Sequence, residues 1–90
     1  MIQVEFFGIV RHRAGTASIQ IDAGVGPFSL SQVYEQVIQQ CPNLADSCFD
    51  GLHLRAGYIA NLNGEAFIGR PDEVIPSGST LMIMGKDAGG

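Results

Sequence analysis

Apolar and polar residues alternate with a period of two over residues 2–6, which predicts a strand with one face in the core. On this alternation Ile2, Val4 and Phe6 face the core, and Phe7 falls on the opposite side.

Residues 16–21 alternate in the same way and are rich in β-branched side chains, and turn residues follow at 22–27. We expect this second strand to form a hairpin with the first. Residues 8–15, which carry a small basic cluster, read as the long loop between them.

Helical periodicity is clear in one stretch, where apolar residues recur three and four positions apart. They are Leu30, Val33, Tyr34, Val37 and Ile38. Ser29 and Gln32 have the spacing of a capping box, in which each side chain bonds the other residue's backbone N–H. Pro42 should end the helix near Gln40. The sequence therefore predicts one amphipathic helix that begins after Ser29.

The second half of the chain predicts further strands. Residues 58–62 read as a strand, 63–64 (Asn-Gly) as a tight hairpin turn and 65–68 as the return strand. The prolines within 69–79 exclude a central strand there. Residues 80–84 form the last strand, which is apolar on both faces.

An apolar strand of this kind is either buried on both faces or leaves an apolar patch exposed. We expect Leu81 and Ile83 to meet the helix. Met82 and Met84 then lie on the open face with Phe7, as a patch that binds a partner protein. The alternative is that the segment 43–56, whose structure the sequence does not predict, covers the two methionines.

Length and charge narrow the classes of function. Ninety residues form one domain with one modest core. No apolar run approaches the roughly 20 residues of a membrane span, and the first residues predict a strand rather than a signal peptide, so we expect a cytoplasmic protein. A net charge of −4 disfavours nucleic-acid binding. It suits an acidic protein that docks onto a basic enzyme surface.

Candidate catalytic groups are few. Cys41 and Cys48 lack the spacing of a redox or zinc site, and we expect reduced, partly buried thiols. His12 and His53 have no nucleophile or ligand at a useful spacing. We therefore expect no metal site and no permanently bound cofactor.

The chain stops on Gly89-Gly90, six residues beyond the last predicted strand. Glycine lets a backbone enter a narrow channel, and an extended arm over residues 85–90 reaches about 20 Å. The Gly90 carboxylate is the best candidate for a reacting group. The alternative is an ordinary glycine-rich chain end.

The order of these features resembles the MoaD/ThiS family of sulfur carriers. The resemblance rests on residues 2–11 with Ala14-Gly15, the helix begun at Ser29, the Asn61–Gly64 segment and the terminal Gly-Gly. It implies an α+β ubiquitin-like β-grasp fold, in which a mixed sheet of four or five strands packs on one main helix. Residues 1–84 would form this domain and residues 85–90 a flexible tail.

The resemblance also implies a chemistry. A MoeB- or ThiF-like enzyme would use ATP to adenylate the Gly90 carboxylate, and a sulfur donor protein would convert it to a thiocarboxylate. The residues recognised in the tail would be Gly85, Lys86, Asp87, Ala88 and Gly89. The sulfur would pass to a MoaE-like large subunit of molybdopterin synthase. Alternatives are a sulfur carrier for the synthesis of thiamine thiazole, cysteine or another sulfur-containing product, and a ubiquitin-like interaction module without sulfur chemistry.

Overall fold

A computed structural model describes residues 1–22 and 27–86, so most of the predicted turn at 22–27 lies outside the described residues. The strands are β1 (Ile2–Phe6), β2 (Ser18–Ile21), β3 (Phe28–Ser29), β4 (Phe49–Asp50), β5 (His53–Leu54), β6 (Tyr58–Leu62), β7 (Ala66–Ile68), β8 (Val74–Ile75) and β9 (Thr80–Gly85). The helices are α1 (Gly8–Ala14), α2 (Leu30–Gln40) and α3 (Asn43–Ser47).

Five strands form the main sheet, in the order β2-β1-β9-β6-β7. The last strand of the chain, β9, lies in its centre, parallel to β1 and antiparallel to β6. β1 and β2 pair antiparallel, as the sequence predicted. The mixed sheet and the main helix confirm the predicted α+β fold class.

Helix α2 begins and ends where the sequence predicted. The Ser29 hydroxyl accepts from the Gln32 backbone N–H at 3.2 Å, and the Gln32 side chain accepts from the Ser29 N–H at 2.9 Å. These two bonds satisfy donors that the first helical turn leaves free. The helix buries Leu30, Val33, Tyr34 and Val37 against the sheet residues Ile2, Val4, Phe6, Leu81 and Ile83 in one core.

The prediction of a loop over residues 8–15 is wrong, because most of that segment forms helix α1. Val10 is its one fully buried residue, and Gly15 ends it with φ of 79°. A seven-residue helix is too short to be stable alone. It forms because it packs against β9, and the backbone N–H of Phe7 donates to Ile83 O at 3.1 Å.

The segment 43–56, left open by the sequence, folds as α3 and the short β4–β5 hairpin. Leu44, Cys48 and Phe49 are fully buried. The Phe49 ring meets the ring of Tyr34 edge-on, with centroids 5.0 Å apart. The segment therefore completes the core on the helix side of the sheet and does not cover the two methionines.

The predicted left-handed turn at Asn63-Gly64 is confirmed, with φ of 58° and 72° at the two residues, but the loop also includes Glu65, so the return strand begins at Ala66 rather than at Glu65. Such left-handed conformations match a tight hairpin between strands that twist to the right. The proline-containing stretch contributes β8, which pairs with β3 outside the main sheet. This placement agrees with the exclusion of a central strand there.

Candidate functional site: the root of the C-terminal arm and the open face of the sheet

The central strand carries the chain to the arm and holds its first residues. β9 runs one residue further than predicted, to Gly85, which lies opposite Tyr58 of β6. Beyond it, the Lys86 backbone N–H donates to Gly57 O at 2.7 Å. Ile9 of α1 lies on the other side, with its Cγ2 3.8 Å from the position a Cβ at Gly85 would take. The root of the arm is therefore fixed between α1 and the start of β6.

Four predicted site residues, Asp87, Ala88, Gly89 and Gly90, lie outside the described residues. The reacting carboxylate at Gly90 and the recognition of the tail therefore stay predictions. Gly85 and Lys86, the first two residues of the predicted tail, are part of the strand and its closing turn.

The two faces of β9 differ as the sequence predicted. Leu81 and Ile83 are fully buried on the helix side, whereas Met82 and Met84 are half-buried on the other face. Phe6 pairs with Ile83 in the parallel register, so continuing that register places Phe7 beside Met84. Phe7, Met82 and Met84 thus share the open face.

Two further apolar residues belong to this face, and the sequence analysis missed both. Ile59 lies opposite Met84, and Phe67 of β7 lies across Asn61 from Met82. Phe67 is 67% exposed. We call the set Phe7, Ile59, Phe67, Met82 and Met84 the open-face patch. Ile59 could have been found from the alternation along β6. Phe67 could not, because counting outward from a two-residue turn at Asn63-Gly64 pairs it with Ala60, whereas the loop also includes Glu65 and Phe67 pairs with Asn61.

Asn61 is the polar residue at the centre of the open-face patch. It is 9% exposed, and its side-chain oxygen has no hydrogen-bond partner within the described part of the chain. A buried acceptor without a partner costs free energy. Glu5 lies on the other side of Met82 in the register of the sheet, so the open-face patch has two polar neighbours, Asn61 and Glu5, at which a hydrogen bond could set the orientation of a partner.

Tyr58, opposite Gly85, links the root of the arm to the core. Burial raises the pKa of its hydroxyl, and a side-chain hydrogen bond with Cys48 adds to the rise. The positive charges of Arg13 and Arg55 act in the opposite direction and lower the pKa.

The remaining polar candidates form no second site. Cys41 and Cys48 are free and buried, as expected, and burial raises the pKa of the Cys41 thiol. His12 and His53 are exposed. Within residues 1–22 and 27–86, no three His, Cys, Asp or Glu side chains are placed to hold a metal ion. None of the helices in the described ranges has the length and apolar character needed to cross a membrane.

Solved structures similar to this one are small proteins of nearly the same length. SAMP1 of Haloferax volcanii matches with a TM-score of 0.82 at 20% identity, over 99% of this chain and 98% of that chain. A putative molybdopterin converting factor subunit 1 of Pyrococcus furiosus matches with a TM-score of 0.74 at 17% identity, over 93% and 94%. CysO, from the BexX/CysO complex of Amycolatopsis orientalis, matches with a TM-score of 0.76 at 18% identity, over 100% of both chains.

No family model matches the sequence, and no curated protein sequence matches it either. At these identities the structural likeness establishes the fold, which is the ubiquitin-like β-grasp. The fold that the resemblance implied is therefore confirmed, because these neighbours share it with the present chain.

Proposed function

We propose that this chain is a sulfur carrier of the MoaD/ThiS type, whose Gly90 carboxylate is the reacting group. The observation that carries the proposal is the position of β9. This central strand, rigidly held on both sides, runs past the open-face patch and directs the chain toward Gly89-Gly90. A partner that binds the patch would thus find the first residues of the arm, Gly85 and Lys86, at a fixed position.

The proposed chemistry needs no catalytic side chain from the carrier. A carboxylate oxygen of Gly90 attacks the α-phosphorus of ATP in the activating enzyme, and pyrophosphate leaves. The acyl adenylate is a far better electrophile than the carboxylate. Sulfide delivered by a sulfur donor protein then attacks the carbonyl carbon, a C–S bond forms, and the C–O bond to AMP breaks. With sulfide as the donor, the exchange involves no net oxidation or reduction.

The arm suits such a reaction because the reacting carbon must enter another protein's active site. Glycine at the last two positions removes the Cβ atoms that would widen the arm. The carrier supplies position, and the partner supplies the groups that stabilise charge in the transition state.

For the pathway we propose molybdopterin synthesis, with this chain as the small subunit beside a MoaE-like large subunit. The support is the likeness to a protein named a molybdopterin converting factor subunit. A second candidate is sulfur delivery to another product, which the likeness to CysO, crystallised in complex with BexX, favours. Incubating the thiocarboxylated protein with each candidate acceptor separates the two, since one acceptor returns the carrier to its carboxylate form.

The test of the carrier function is the intact mass of the protein after incubation with ATP, sulfide and the activating enzyme of its host. We expect a gain equal to the mass difference between a sulfur and an oxygen atom, located in the C-terminal peptide. A variant lacking Gly89 and Gly90 is the control and should show no gain. The function would be refuted if the mass of the wild-type chain stayed unchanged while the same enzyme preparation adenylated another carrier protein.

A further inference from the structure

The positive charges of this acidic protein gather at one end of the fold. The sequence has nine Asp and Glu residues against five Lys and Arg residues. Four of those five belong to segments that meet at the root of the arm. We call them the basic collar: Arg11, Arg13, Arg55 and Lys86. The net charge of −4 therefore conceals a concentration of positive charge in the segments at the root of the arm, which Asp87, the residue after Lys86, offsets by one charge.

Helix α1 supplies one side of the basic collar. Arg11 and Arg13 lie in its last turn and are exposed. The helix packs against β9, and Ile9 Cγ2 lies 3.8 Å from the position that a Cβ at Gly85 would take. Arg11 and Arg13 therefore belong to a helix that is packed directly against the root of the arm.

Arg55 and Lys86 supply the other side. The Tyr58 backbone N–H donates to Arg55 O at 3.2 Å, so Arg55 stands in the turn that leads into β6. Lys86 is bonded to Gly57 in the same turn. Tyr58 pairs with Gly85 in the register of the sheet, and Ile9 of α1 lies 3.8 Å from the position that a Cβ at Gly85 would take. The segments that carry Arg13 and Arg55, 42 positions apart in sequence, therefore meet at the same point of β9.

Among the described residues no collar side chain forms an ion pair, although Arg11 lines a surface pocket together with Glu5. In the described ranges 1–22 and 27–86, the one ion pair joins Arg70 to Asp72 at 3.1 Å, and it uses the fifth basic residue. Arg11 and Arg13 also suit the C-terminus of a helix, where positive charge is favourable. Arg55 and Lys86 are not in helices, so that role does not account for the whole set.

We propose that the basic collar docks onto an acidic rim, made of Asp and Glu carboxylates, around the channel of the enzyme that adenylates the arm. This inference rests on the proposed carrier function. Four residues follow Lys86, and an extended chain of that length spans about 14 Å at most. When the Gly90 carboxylate reaches the nucleotide, the collar therefore lies near the mouth of the channel. Its partners are the carboxylates of the enzyme's rim rather than the phosphates of ATP.

The charge distribution would also orient the encounter. The acidic remainder of the protein is repelled by a negative rim, whereas the collar is attracted to it, so the arm approaches first. Net charge alone suggested a basic enzyme surface as the partner. The distribution of charge in the fold reverses that expectation for the surface around the arm.

Charge reversal tests the inference. ATP–pyrophosphate exchange is measured with the host's activating enzyme, at varied concentrations of Arg13→Glu, Arg55→Glu and wild-type carrier. Arg70→Glu is the matched control, because it changes the net charge equally and its exposed ion pair contributes little to stability. We expect the KM for the carrier to rise about tenfold at low salt for each collar variant, with kcat unchanged.

Salt dependence and neutral variants complete the design. The differences should shrink toward the control near 1 M salt, where screening acts over about 3 Å. Arg13→Gln and Arg55→Gln should give smaller increases, and thermal unfolding checks that each variant is folded. If Arg13→Glu unfolds, the Arg55 variants and Arg13→Gln carry the test.

Three outcomes would overturn the inference. Equal KM values for the collar variants and Arg70→Glu would show that the collar has no local partner, while the carrier function would stand. A rise in the KM for ATP instead of the carrier would place the nucleotide phosphates at the collar. No exchange with the wild-type chain would refute the carrier function, and the inference would fall with it.

Discussion

Ile83 and Met84 are neighbours in the central strand with opposite surroundings, and alanine substitutions should separate them. Ile83 is fully buried and lies between Phe6 and Ala60 in the register of the sheet. Removing a buried isoleucine to Cβ costs about 2–5 kcal/mol, depending on how far the surroundings collapse. Hydrogen-bonded strands on both sides resist collapse, so we expect about 3 kcal/mol or more for Ile83→Ala. Met84 is half-buried on the open face, so Met84→Ala should cost about 1 kcal/mol or less.

Thermal and urea unfolding measure the difference. For a domain of this size 1 kcal/mol shifts Tm by about 4–8 °C, so Ile83→Ala should lower Tm by roughly 12–24 °C. Met84→Ala should lower it by a few degrees. Substitutions at the two positions should affect function in the opposite order. Met84→Glu, which places a charge in the open-face patch, should raise the KM for the carrier in the exchange assay. The folded fraction of the Ile83→Ala chain should react with the KM of the wild type.

Equal destabilisation of the two alanine variants would refute the assignment of Ile83 and Met84 to opposite faces of β9, because that assignment requires them to differ. The binding role of the open-face patch would be refuted if Met84→Glu lowered Tm strongly while its exchange kinetics, measured below the unfolding transition, matched those of the wild type. That result would place Met84 in the core and leave the open-face patch without a role in binding.

Three further substitutions test individual features of the fold. Ser29→Ala removes one bond of the capping box and should lower the free energy of unfolding by about 1 kcal/mol in urea titration, and a change near zero would show that the cap is dispensable. Tyr34→Phe removes a buried hydroxyl that has no partner in the described chain and should raise Tm slightly, whereas a loss of about 1 kcal/mol or more would reveal a bond to that hydroxyl. Gly15→Ala forces a side chain into a left-handed conformation and should cost about 1–2 kcal/mol, while Gly69→Ala, with open space and an ordinary φ, should change unfolding little.

The sequence predicted those elements that local patterns determine. The capped helix α2, strand β1 and the Asn63-Gly64 hairpin follow from side-chain spacing and backbone preference within a few residues. The two faces of β9 also followed, because alternation fixes which residues share a face. The fold class came from the order of these elements together with their resemblance to a known family.

Helices α1 and α3 were not predicted because they are held by tertiary contacts. They have seven and five residues, so neither reaches the length at which a helix is stable alone. The basic collar was missed for a related reason. Arg13 and Arg55 lie far apart in sequence, and the packing of α1 on β9 is what brings their segments together at the root of the arm. The reacting end of the arm, beyond Lys86, stays a prediction from the sequence.

The central position of β9 sets an order for folding during synthesis. Without β9, the main sheet separates into the β1–β2 pair and the β6–β7 hairpin, and two-stranded pieces of this kind are marginally stable in water. The ribosome must therefore translate the chain through Gly85 before the sheet can close. A truncated product lacking β9 would remain unfolded and open to proteolysis. A folded domain therefore always includes β9, the strand from which the arm extends.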